Sequence, residues 1–129
     1  MEVATAEHVK NALQFDTDVL WIGARTTVNP FSVQEIADAL RGTKVKVLIK
    51  NPVNPDVKLW AGALERIQKA GVEDVGLIHR GFTSPISTGY RNAPMWQLAI
   101  EMRRLFPHVD MLIDPSHICG KREIGRAHV

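Results

Sequence analysis

Four apolar runs in this chain each end in a polar residue suited to an anion or a metal: Leu20-Trp21-Ile22-Gly23-Ala24-Arg25, Val47-Leu48-Ile49-Lys50, Gly76-Leu77-Ile78-His79-Arg80 and Met111-Leu112-Ile113-Asp114-Pro115-Ser116-His117. Arg25, Lys50, Arg80 and His117 follow one another at intervals of 25, 30 and 37 positions. A (β/α)8 barrel of about 250 residues spends about 30 on each βα unit and carries its chemistry at the C-terminal ends of its strands. The spacing therefore predicts consecutive parallel strands that feed one site.

Between these runs the hydrophobic period changes from strand to helix. Thr5 is expected to cap a first helix with Val9, Ala12 and Leu13 on one face. Residues 18–23, 45–49, 75–78 and 109–113 read as strands, too continuously apolar for half-exposed antiparallel ones. Ser32 and Glu35 suggest a capping box for a helix that buries Val33, Ile36, Ala37 and Leu40 and stops at Gly42. A helix from about Asp56 points Val57, Trp60, Leu64 and Ile67 inward and ends at Gly71. After a longer loop, 81–94, another carries Met95, Leu98, Ala99, Met102 and Leu105 on one side. Such α-β alternation means an α/β fold with a parallel sheet and right-handed crossovers. An open flavodoxin-like sheet could use the same order. No glycine-rich phosphate fingerprint follows the first strand, however, and functional groups after every strand favour a barrel.

Length limits this reading, because 129 residues amount to about half a barrel. The net charge of +2, with basic residues dispersed, argues against a nucleic-acid partner. One cysteine permits no intrachain disulfide and suits a cytoplasmic location. No apolar run approaches the roughly 20 residues of a membrane span, and the start lacks the basic-then-apolar form of a signal peptide.

In order and spacing, Ile22-Gly23-Ala24-Arg25-Thr26-Thr27, Lys50-Asn51-Pro52, His79-Arg80-Gly81 and Asp114-Pro115-Ser116-His117 resemble 3-deoxy-7-phosphoheptulonate (DAHP) synthase of the short type I. The flanking runs Lys50-Asn51-Pro52-Val53-Asn54-Pro55-Asp56 and Tyr90-Arg91-Asn92-Ala93-Pro94 look like the version fused to chorismate mutase. The resemblance covers Glu2 to about Glu123. It implies condensation of phosphoenolpyruvate with erythrose 4-phosphate, with release of phosphate, at the first step of the shikimate pathway to aromatic amino acids. The parent enzyme is then expected to be a metal-dependent, cytoplasmic homo-oligomer.

The resemblance also implies roles. Arg25, Lys50 and Arg80, with the backbone N–H of Ala24, would hold the phosphate and carboxylate of phosphoenolpyruvate. Lys50 and His117 would be catalytic, and His117 would be one ligand of a divalent metal. The residue types suit those tasks, since guanidinium forks onto carboxylate or phosphate and lysine is a compact cation able to give a proton. Each residue also has a plainer reading. Arg25 and Arg80 could form surface ion pairs, Lys50 could snorkel to water, His117 could be a neutral loop histidine and Asp114 a helix cap. His79 reads as structural and Cys119 as a small packing residue; Trp21, Trp60 and Trp96 read as core.

The family's metal cysteine, its Lys-Pro-Arg-Thr sugar-phosphate clamp and the acidic residues after its seventh strand have no match here. The chain therefore reads as a partial barrel, from the end of strand three through strand seven, over residues 1–123. An atypical tail over 124–129 follows. Such a fragment is expected to be inactive alone and to hold no metal tightly, unless Cys119 or His128 replaces the missing ligands. Two alternatives share the pattern. One is 3-deoxy-octulosonate 8-phosphate synthase, disfavoured by Arg25-Thr26-Thr27 and the run from Asn51 to Asp56; the other is a non-catalytic half-barrel that binds phosphate-bearing ligands.

Overall fold

The computed structural model describes residues 1–84 and 89–120. The proposed tail, residues 121–123 at the end of the resemblance and His128 lie outside them. The elements run β1 (Glu2–Val3), α1 (Ala6–Gln14), β2 (Val19–Ile22), α2 (Ala24–Thr27), α3 (Pro30–Leu40), β3 (Lys46–Lys50), α4 (Val57–Lys69), β4 (Val75–His79), α5 (Trp96–Leu105), β5 (Asp110–Ile113) and α6 (Pro115–Cys119). The five strands form one sheet in sequence order, every neighbouring pair parallel. In-order parallel strands separated by helices are the barrel's connectivity.

Register decides which side chains meet the helices. Val3, Ile22, Ile49, Leu77 and Met111 stand in one row across the sheet. The first four join Trp60, Leu64, Ile36 and Leu40 in the core, while Met111 packs at its margin. Each fully buried side chain of this size contributes about 1.5–3 kcal/mol. Residues one step along point the other way: Trp21 and Leu48 are half-buried and Leu112 is 50% exposed. Leu20, Ile22, Ile49 and Leu77 therefore face the helices and not the barrel lumen, because strand side chains alternate. The lumen-side residues are Trp21, Leu48, Ile78 and Leu112.

Local signals were partly different from those expected. Thr5 caps α1 by accepting from His8 N, and Asp56 caps α4 by accepting from Leu59 N. In α3 the cap is Asn29, whose side chain accepts from Phe31 and Ser32, with Pro30 at the first helical position. Ser32 and Glu35 fall inside that helix, so they form no capping box. Proline at that position is favoured because its missing N–H would have no partner there. Trp60 is buried and donates its Nε1 to Ile49 O at 3.2 Å, but Trp96 is 49% exposed at the start of α5. Leu105 is also exposed, although α5 packs against α4.

Candidate active site

Three successive β-to-α connections deliver Arg25, Lys50 and Arg80 to one cleft of about 540 Å3, and His117 lines it too. Their origins differ. Lys50 ends β3 and Arg80 directly follows β4, but Arg25 sits in the short helix α2 and His117 in α6. The two short helices had no periodicity long enough to be read from sequence.

Thr27 fastens the first connection. Its Oγ1 lies 3.0 Å from Gly23 O and 2.8 Å from Lys50 O, sharing one proton between turn and strand end. Ala24 is buried at the start of α2 and lines the cleft, beside exposed Arg25. Lys50, with 14% side-chain exposure, sends its Nζ to within 3.7 Å of Glu2 Oε1. Trp21 Nε1 donates to the same oxygen at 3.2 Å. A Cβ on Gly23 would stand 3.0 Å from the Glu2 carboxyl carbon, so this glycine makes room for Glu2. Sequence reasoning placed Glu2 only at a strand tip; a partner in the cleft is visible only once β1 is paired with β2.

Arg80 is held from two sides. Its backbone N–H donates to Asn51 Oδ1 at 2.7 Å, and its Nη1 donates to Asn92 Oδ1 at 3.4 Å. Asn51 is fully buried and donates through Nδ2 to Pro52 O and Gly81 O, both at 2.8 Å. Burial lowers the Arg80 pKa; the Asp114 charge opposes this, and the positive charges of Arg91 and Arg25 add to it. Arginine stays charged even so. Arg25 and Arg91 thus place like charge around Arg80 in one cleft, a field that an anion would relieve.

His117 lies over Asp114, which caps α6 by accepting from His117 N. The His117 ring Nδ1 is 2.6 Å from Asp114 Oδ2, and Ser116 Oγ donates to Asp114 Oδ1 at 2.7 Å. Burial works to raise the Asp114 pKa, but these hydrogen bonds prevail and it lies below the usual value. A carboxylate on one ring nitrogen orients the other toward a ligand, the usual arrangement behind a metal-binding histidine. Yet among the described residues no three His, Cys, Asp or Glu side chains gather to hold a metal. A catalytic ion generally takes about three protein ligands, and His117 would supply one of them. Cys119, half-buried, lies outside any such group.

His79 is fully buried against Trp60, Phe82 and Trp96, with ring centroids 6.5, 5.9 and 4.9 Å away. Its Nε2 lies 2.5 Å from Pro94 O. Burial lowers its pKa and the Pro94 hydrogen bond opposes. It packs the loop before α5 and does not line the cleft.

The chain matches the model of the DAHP synthetase I family over residues 1–129. It belongs to that family. Among solved structures, a truncated 3-deoxy-D-arabino-heptulosonate 7-phosphate synthase from Thermotoga maritima superposes with a TM-score of 0.76 at 22% identity, covering 95% of this chain and 43% of that one. A phospho-2-dehydro-3-deoxyheptonate aldolase (DAHP synthase) from Thermotoga maritima superposes with a TM-score of 0.77 at 22% identity, covering 95% and 34%. No curated relative matches the chain. At that identity the likeness shows the fold, and the chain spans less than half the length of these structures. The five strands are part of a (β/α)8 barrel. Among the described residues no helix is long and apolar enough to cross a membrane.

Proposed function

We propose that this chain carries the phosphoenolpyruvate-binding part of a DAHP synthase, which joins phosphoenolpyruvate to erythrose 4-phosphate and releases phosphate. The observation that carries the reading is that Arg25, Lys50, Arg80 and His117, from four successive connections of a DAHP synthetase I family member, line one cleft. Turnover is assigned to the whole barrel, in a cytoplasmic homo-oligomer.

Phosphoenolpyruvate is a trianion when fully ionised, and the cleft offers the matching charges. Arg25 and Arg80 fork onto its carboxylate and phosphate oxygens, and the Ala24 N–H at the start of α2 adds a neutral donor. In the reaction C3 of phosphoenolpyruvate attacks the aldehyde carbon, water adds at C2, and the C2 substituent leaves as phosphate. Lys50 sits at the strand end with its ammonium in the cleft, where it neutralises charge growing on oxygen and has a proton to give. Asp114 keeps the His117 ring in place. His117 would supply one ligand to a divalent metal in the whole barrel, whose contribution would be Lewis-acid chemistry on the aldehyde or on water.

Calorimetric titration of phosphoenolpyruvate into the purified chain tests the reading. Binding is expected, weakened about tenfold or more in Arg25→Gln and in Lys50→Gln, since charge-assisted hydrogen bonds contribute about 1.5–3 kcal/mol. Absence of binding at millimolar ligand, or variants that bind as well as the parent, would overturn it.

A further inference from the structure

Arg91 has so far entered only as a charge near Arg80, yet its placement is fixed from two directions. Its backbone N–H donates to Ile118 O at 2.9 Å, tying the loop before α5 to α6. Its stem fills the space above Gly120, where an added Cβ would stand 2.8 Å from Arg91 Cβ and 3.1 Å from its Cδ. Gly120 has φ +72, so a side chain there would be strained as well as obstructed. The loop itself is folded back by the antiparallel bridge between Phe82 and Ala93, with hydrogen bonds of 2.8 and 2.9 Å. Arg91 thereby lines the same cleft as Arg80, Thr83 and His117.

The next residue strengthens the connection. Asn92 accepts from Arg80 Nη1 and donates through Nδ2 to His117 O at 2.7 Å. Two consecutive residues thus bring an amide onto the Arg80 guanidinium and a second arginine into the same cleft. Among the described residues Arg91 makes no salt bridge, and neither does Arg80. Glu2 lines the same cleft but pairs with Lys50, and Asp114 is hydrogen-bonded to Ser116 and His117. Like cations repel, and a doubly charged oxyanion between Arg80 and Arg91 reverses the sign of that interaction.

We propose that Arg91 is an anion-binding residue that joins Arg80 on one phosphoryl group, a clamp of two guanidiniums, one at the end of β4 and one in the 89–94 stretch that returns to Phe82. The proposal rests on the phosphoenolpyruvate reading for the identity of the anion, but inorganic phosphate alone suffices to probe it. Arginine is suited to the task because its fork takes two oxygens of a tetrahedral anion at once. Gly120 is then a specific requirement of the site: it leaves the space that seats the arginine stem.

Phosphate and phosphoenolpyruvate are titrated separately into the full chain and into Arg91→Gln, Arg91→Lys, Gly120→Ala and Lys58→Gln, with thermal melts of each. The expected result is about a tenfold or greater loss for both anions in Arg91→Gln. Arg91→Lys should fall between parent and Gln, because the charge remains and the fork does not. Gly120→Ala should weaken binding with Arg91 still present. Lys58→Gln, a charge removed from an exposed position on α4, should bind as the parent does. If Arg91→Gln binds phosphate like the parent, the clamp is overturned and the phosphoenolpyruvate reading stands. An equal loss in Lys58→Gln reduces the effect to net charge and also overturns the clamp. If the parent chain binds neither anion, both proposals fall together.

Discussion

Asn51 Oδ1 accepts the backbone N–H of Arg80 at 2.7 Å, so the residue after β3 sets the height at which the residue after β4 leaves the sheet. The same amide donates to Pro52 O and Gly81 O, so three of its possible hydrogen bonds are made inside the protein. Neither strand end is positioned by its own sequence alone. The amide of one connection holds the backbone of the next.

Asn51→Ala should therefore cost stability as well as binding. It strands a buried N–H and two carbonyls, at about 1–3 kcal/mol for each group that water cannot reach. A loss of at least about 2 kcal/mol is expected in urea unfolding, and Asn51→Asp should not restore it. Asp lacks the amide donors to Pro52 and Gly81. A midpoint unchanged within error in Asn51→Ala would show that the amide is not a structural tie.

Much of the fold was legible because it depends on period. Val33, Ile36, Ala37 and Leu40 repeat at helical spacing, and all are buried where that pattern places them. Continuous apolar runs gave the strands to within one or two residues. The site was legible to the extent that strand ends recur in a parallel sheet, which gives Lys50 and Arg80. Asn51, Asn92 and Glu2 were not, because each acts through a partner roughly 12 to 48 positions away in sequence that only pairing and loop closure bring near. Strand faces were not legible either. A run such as Val47-Leu48-Ile49 is apolar on both sides, and only register tells which side meets the helices.

Glycine substitutions should separate backbone from side-chain obstruction. At Gly81, φ is +84 and an added Cβ would stand 2.6 Å from Asn92 O, a backbone atom of the returning loop. Gly81→Ala should therefore destabilise by more than about 1–2 kcal/mol and weaken anion binding, since Asn92 also holds Arg80. At Gly76 the obstruction is Leu48 Cδ2 at 2.8 Å, the end of a side chain that can rotate. Gly76→Ala should be the milder change in thermal melts. The reverse order would show that the Gly81 turn is adaptable.

The charge beside Lys50 makes another comparison. Glu2, with 56% side-chain exposure, holds a carboxylate oxygen 3.7 Å from Lys50 Nζ and so offsets positive charge that an anionic substrate would meet. A half-exposed pair of this kind is worth about 1 kcal/mol or less. Glu2→Gln should then tighten phosphate binding by up to about fivefold, with the effect fading as salt is raised. Weaker binding in Glu2→Gln would assign the carboxylate to holding Lys50 in place instead.

Stability should fall with acid through His79. Burial depresses its pKa in the folded chain below the ordinary 6.5, so the unfolded chain binds the proton first. The contribution is fully present above pH 6.5 and is lost as pH drops from there toward the depressed folded value. Asp114, also depressed from 3.8, acts at lower pH: its contribution is present above that value and disappears as pH falls through the folded pKa. Between pH 7 and 5 the unfolding midpoint should decline in the parent and decline less in His79→Gln. Equal slopes would assign the loss to other groups.

The sheet edge gives the last prediction. Among the described residues β5 pairs only with β4, and Leu112 and Ile113 on it are 50% and 56% exposed. In a closed barrel another strand covers that edge; here a row of backbone N–H and C=O groups stands beside apolar side chains. Such edges recruit other chains, and a lysine on them is a common protection. Purified chain should therefore elute larger than a monomer in a concentration-dependent way. Leu112→Lys should shift it toward the monomer, because the substitution lies on the lumen side and leaves the helix-packed core untouched. It should do so without lowering the melting temperature by more than a few degrees, as expected of a surface change. If the parent is a monodisperse monomer at high concentration, or if Leu112→Lys leaves the association unchanged, the β5 edge is not what joins the chains.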